Sequence, residues 1–124
     1  MADLRRKRNG DSGSSYDFDL VPDVSKAERR AAHERVSAYY EVELAKLVQR
    51  VEAAIGHYRK GEIDVHEVDA VIHRYSKAAR ELWKFCWLGG AGSSVVFVRR
   101  ALDAWAEEAS EVDWWEEAER RRRR

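Results

Sequence analysis

Apolar residues recur at three- and four-residue spacing through Val36, Tyr40, Leu44, Leu47, Val51, Ile55 and Tyr58, the period of one face of an α-helix. Ser25 and Glu28 form a capping box after Pro22, the chain's one proline, and open this helix. Lys60-Gly61 closes it with a basic last turn and a residue suited to a left-handed cap. A helix of about 35 residues is a rod of roughly 50 Å. A folded part of this size has a radius of gyration near 13 Å, roughly, so such a rod needs something to cover its length.

The run Gly61–Trp87 carries the clearest pattern. At about 100° per residue, Glu62, His66, Asp69, His73, Lys77, Arg80 and Lys84 share one narrow stripe. Val65, Val68, Val71, Ile72, Tyr75, Ala79, Leu82, Trp83, Phe85 and Cys86 fill an opposite arc roughly 160° wide. An apolar arc that wide predicts neighbours on more than one side. Asp64 and Glu67 form a second capping box, and the short connection before it predicts an antiparallel helical hairpin over residues 25–88.

Leu88-Gly89-Gly90 stops the second helix, and Ser93 or Ser94 caps a third segment with Val95, Val98, Leu102 and Trp105 at helical spacing. Val95–Val98 alone would suit a strand, but the chain offers it no partner strand. A last short helix is expected from Ser110 or Asp113, carrying Trp114 and Trp115. The predicted fold class is therefore all-α: a long hairpin plus one or two short C-terminal helices. Residues 1–24 read as a disordered tail, residues 25–118 as the helical domain with its C-terminal helices over 93–118, and residues 119–124 as a basic tail. Within the tail, Tyr16, Phe18, Leu20 and Val21 alternate with acids, as a linker or a short docking motif would.

Lys+Arg and Asp+Glu are both 23, so the net charge is zero and a surface dedicated to coating nucleic acid is not expected. Charge is nonetheless segregated, with Arg5, Arg6, Lys7 and Arg8 near one end and Arg120, Arg121, Arg122, Arg123 and Arg124 at the other. The one cysteine, Cys86, lies on the apolar arc, which suits a buried thiol and a reducing compartment. No apolar stretch follows the basic N-terminus, and Phe85–Val98 falls about four residues short of a bilayer span. A cytoplasmic location follows, with no membrane role.

Candidate chemistry is sparse. Glu62–His66 and Asp69–His73 are i,i+4 pairs able to share a metal or a hydrogen bond, but His66 and His73 stand about 10.5 Å apart along the axis. Acids in the first half of the stripe and bases in the second match the helix dipole, so a solvated face or a polar partner contact is expected before a metal site. Gly89–Ser94 lacks the Lys-Ser/Thr of a phosphate loop and reads as a helix stop followed by a cap. Trp114 and Trp115 are adjacent, so one helix face cannot bury both; either they close the core or one anchors a partner. The arginine tail is a candidate nucleic-acid contact, antitoxin-like in character.

Arg50 and His57 are separated by six residues, which resembles the R-x4–6-H motif of HEPN-family ribonucleases, themselves small all-helical proteins. The resemblance implies catalysis across a dimer, with both side chains facing a phosphate. Where that motif often has a polar residue after the arginine, this chain has Val51. The residues support foremost a non-enzymatic interaction or regulatory module, self-associating or binding a protein partner through the apolar faces of its first two helices. The alternatives are a nucleic-acid-linked regulator and a small helical hydrolase or nuclease using Arg50 and His57 or the His66, Asp69, His73 stripe. No cofactor and no small-molecule ligand are expected.

Overall fold

The computed structural model describes residues 25–88 and 95–122. Among these, the chain forms four α-helices and no strand: α1 (Lys26–Arg59), α2 (Val65–Trp83), α3 (Val95–Glu107) and α4 (Trp114–Arg122), with a π-helical turn (Lys84–Leu88) continuing α2. The expected tail over 1–24, the docking motif within it, the Gly89–Ser94 loop with its serine caps, and Arg123 and Arg124 lie outside the described residues. Two compact units divide within α1, residues 1–31 and 32–124. Of the first, only the opening of α1 is described. There the Glu28 N–H donates to Ser25 Oγ and the Ser25 N–H donates to Glu28 Oε1, both at 3.0 Å, completing the capping box.

The second unit begins at Ala32. Its helix ends are set by local chemistry that the chain states openly. α1 ends in a Schellman motif: the Glu62 N–H donates to the His57 carbonyl and the Gly61 N–H to that of Tyr58, both at 2.9 Å. Gly61 takes the left-handed φ of 80° that this reversal requires. The Asp64 side chain accepts from the Glu67 N–H and Glu67 Oε1 accepts from the Asp64 N–H, both at 2.9 Å, so α2 starts at Val65. Asp113 Oδ1 accepts from the Trp115 N–H at 3.1 Å and caps α4. At the end of α3 the Schellman pattern returns, with the Ser110 N–H donating to the Trp105 carbonyl at 2.8 Å and the Ala109 N–H to that of Ala106 at 3.2 Å. The left-handed position there is held by Ala109, at φ 56°.

One apolar cluster joins Val36 and Leu47 of α1, Ala78 and Leu82 of α2, Cys86, Val98 and Leu102 of α3, and Trp114, Trp115 and Ala118 of α4. No polar or charged residue is buried among the described residues. Aromatic rings close the cluster's edge. Phe85 stacks on Trp105 with centroids 5.2 Å apart and meets Trp114 at 5.4 Å. The π turn explains how Phe85, Cys86 and Trp87 all find partners: its wider i→i+5 turn rotates each residue less than an α turn would. Cys86 thereby stays in the core, and Trp87 turns toward α1 to meet Tyr40 at 6.0 Å.

Candidate functional site

The wide apolar arc of α2 divides into two parts. Leu82 is fully buried, and Val71, Tyr75 and Ala79 pack against the core. Val65, Ile72 and Trp83 do not: they are 57%, 42% and 45% exposed. Helix geometry puts these three within about 20° of one another, on a line roughly opposite Arg74. Arg74 is the side chain that meets α4, its Nη2 donating to the Trp115 carbonyl at 3.3 Å and to Glu116 Oε2 at 3.0 Å. The exposed line therefore looks away from α4.

On α1 the same division holds. Val48 is 47% exposed, with Leu44, Val51 and Ile55 half-buried on its side of the helix. Val48 lies about 160° around the helix from Arg50, whose guanidinium sits 5.1 Å from the Trp115 ring of α4. So α1 and α2 each turn partly uncovered aliphatic and aromatic residues to the side opposite α4. Val42, Leu88 and Phe97 are also exposed but lie off these lines, Phe97 beneath the Arg100 guanidinium.

The polar stripe is exposed and loses one member. Glu62 precedes the helix and bonds His57 through Oε1 and Nδ1, so it does not pair with His66. His73 Nε2 stands 3.3 Å from Asp69 Oδ2, as the spacing predicts. His66, Asp69, His73, Arg74, Lys77 and Glu119 line an open hollow of about 510 Å³. Cations and anions alternate around it, which favours no ligand charge. Among the described residues no group of three or more histidine, cysteine or acidic side chains is placed to hold a metal ion.

Trp114 and Trp115 are both buried, 5% and 6% exposed. They lie at the first turn of α4, where adjacent side chains diverge toward different helices. Trp114 donates its Nε1–H to Tyr39 Oη at 2.8 Å. Two guanidinium groups lie over the Trp115 ring, that of Arg50 at 5.1 Å and that of Arg74 at 4.7 Å. Both tryptophans close the core in this chain. Arg50 and His57 are engaged separately, one on Trp115 of α4 and the other with Glu62, about 10.5 Å apart along α1 by helix rise.

Arg120 Nη2 donates to Glu117 Oε1 at 2.7 Å, which raises the arginine's already high pKa. Arg121 and Arg122 end α4, and their side chains are outside the described residues. Burial pushes the Cys86 thiol up to about 12, so the group is inert rather than nucleophilic. Burial likewise pushes the Tyr39 phenol up to about 12, while its hydrogen bond from Trp114 works in the other direction.

Arg74 and Tyr39 carry contacts that periodicity alone does not flag. Arg74 falls on the border between polar stripe and apolar arc, the position from which a long cationic side chain reaches a neighbouring helix. Its Nε is the buried side-chain polar atom without a hydrogen-bond partner among the described residues, lying 3.9 Å from Glu119 Oε1. Among the described residues no helix is long and apolar enough to cross a membrane. No family model, curated protein or solved structure matches the chain.

Proposed function

We propose that this chain is a non-enzymatic helical interaction module that docks through one side of an antiparallel α1–α2 hairpin, the side opposite α4. The exposed line Val65, Ile72 and Trp83 carries this reading, since it places three large apolar groups in water on one side of a single helix. The antiparallel hairpin is supported by three ring contacts. His33 and Tyr40 meet Trp87 at 5.0 and 6.0 Å, and Tyr39 meets Phe85 at 6.3 Å, pairing the early part of α1 with the far end of the α2 run. The short link between Arg59 and Val65 joins the other ends. A buried free thiol suits a cytoplasmic setting. The catalytic alternatives lack a convergent set of groups, and Arg120, nearest of the basic tail, is already paired with Glu117.

The test compares wild type with Ile72→Glu on the exposed line and Val42→Glu off it. Sedimentation of the pure protein is measured across the micromolar range, together with recovery of bound chains from an extract of the native host. The reading expects association, with itself or another chain, that Ile72→Glu abolishes and Val42→Glu leaves intact. Because both positions are exposed, both variants should keep the wild-type circular dichroism and melting temperature. Association indifferent to Ile72→Glu, or none in either setting, refutes it.

A further inference from the structure

We propose that this chain binds a methylated ammonium group in the hollow between α1, α3 and the link from α3 to α4. The hollow is open-mouthed and holds about 130 Å³. An apolar cavity of about 150 Å³ takes up a benzene ring, so a trimethylammonium head of similar bulk suits the space. Tyr39, which lines the hollow, lies roughly 180° around α1 from Val48 by helix geometry. The inference is therefore independent of the docking reading above.

The lining supplies the chemistry. Tyr39 and Trp105 contribute aromatic rings, and Leu102 and Val112 contribute aliphatic walls. Phe85 does not line the hollow but braces both rings, meeting Tyr39 at 6.3 Å and stacking on Trp105 at 5.2 Å. Stacking occupies one face of Trp105, and its other face meets no ring among the described residues. The Tyr39 hydroxyl is fixed by the N–H that Trp114 donates to it at 2.8 Å. A cation over such rings is attracted by the negative potential of their faces, and its methyl groups pack on the same walls. A bare ammonium would have to shed a tightly held water shell for a largely apolar lining, so methylation sets the ligand class.

Charge at the hollow favours a cation. Two carboxylates, Glu43 and Glu111, line it against one guanidinium, Arg35. Arg35 and Arg99 share Asp103, at 3.6 and 3.5 Å, and Lys46 pairs with Glu43 at 2.9 Å. Glu111 is exposed and makes no ion pair among the described residues, which leaves it the carboxylate able to meet a ligand. Burial is the main cause that raises the Tyr39 phenol. Among the charges around that ring, Glu43 raises it more than Arg35 lowers it, so the field there suits a positive group.

The experiment is calorimetric titration of the full chain with four probes. These are choline, a neutral peptide bearing one trimethyl-lysine, the same peptide unmodified, and the uncharged isostere of choline in which a tert-butyl group replaces the trimethylammonium. Saturable binding of choline or of the methylated peptide is expected, with the unmodified peptide and the isostere weaker by about tenfold or more. Trp105→Leu should weaken it by about tenfold as well. Glu111→Gln should weaken it about two- to fivefold while leaving the melting temperature unchanged, and it stands as the test if Trp105→Leu does not fold. Tighter binding of choline identifies a free small cation and tighter binding of the peptide a methylated side chain; either supports the site. No saturable binding of either methylated probe in the millimolar range overturns the proposal. So does an isostere that binds as tightly as choline, or an affinity indifferent to both substitutions.

Discussion

The two Schellman motifs offer a paired test of how the chain reverses direction. Gly61 and Ala109 occupy the same left-handed position at the ends of α1 and α3, with φ of 80° and 56°. For alanine that conformation costs about 1 kcal/mol or somewhat more, through contact between Cβ and the following carbonyl. Ala109→Gly removes this cost but frees the unfolded chain, which takes back about 0.5 kcal/mol. The net expectation is stabilisation by roughly 0.5–1 kcal/mol. In a unit spanning residues 32–124 this raises the melting temperature by about 2–6 °C. Gly61→Ala runs the other way. A Cβ there meets no heavy atom within 4 Å, so only conformational strain acts, and the loss should be about 1 kcal/mol. Thermal unfolding followed by far-ultraviolet circular dichroism reads both variants against wild type. A lower melting temperature for Ala109→Gly, or shifts of the same sign in both, would refute the reasoning, because it treats the two sites as one geometry filled by two residue types.

Trp115→Ala should cost about 3–5 kcal/mol from lost burial, with the release of two guanidinium contacts adding to it, and urea unfolding of the pure protein would measure the loss. A cost below about 1 kcal/mol would mean Trp115 does not close the core. Stability should also fall as pH rises above about 9 toward 12, because Cys86 and Tyr39 ionise at their ordinary 9.0 and 10.0 when unfolded but are held up to about 12 when folded. The unfolded state then binds fewer protons than the folded one across that window, so the slope is negative. Cys86→Ala should remove the part that begins near 9, leaving the onset near 10; identical alkaline slopes in both proteins would contradict the burial of the thiol.

Helix placement was legible because caps are local. Ser25 and Glu28, Asp64 and Glu67, Gly61, and Asp113 each act within a few residues of themselves, and each stands in the sequence where the structure uses it. Ala109 was not legible as a stop, since nothing in its residue type favours the left-handed region. The fate of Trp114 and Trp115 was open for a different reason. Their burial depends on Tyr39, Arg50 and Arg74, which are distant in sequence and which periodicity assigns to α1 and α2 without saying what crosses them. The π turn was equally hidden: Lys84–Leu88 continues the helical run in composition, and only the demands of Phe85 on Trp105 and of Trp87 on Tyr40 distinguish the wider turn.

The same distinction explains why the polar stripe of α2 gave way to the apolar arc as the candidate site. Two histidines on one helix face acquire chemistry only if another element brings groups toward them, and α4 brings Glu119 and the Arg74 contacts, a mixture of signs around an open hollow. The arc needed no such help to be informative. An arc of roughly 160° exceeds what one neighbouring helix covers, and α1, α3 and α4 use only the part bearing Val71, Tyr75, Ala78 and Leu82. What they leave is Val65, Ile72 and Trp83, with the exposed Ser76 between the last two, and Val48 on α1. Incidental exposure of single apolar residues scatters over a surface. Val65, Ile72 and Trp83 instead share one line about 28 Å long on α2, and Ile72→Glu is the substitution that tests whether a partner covers it.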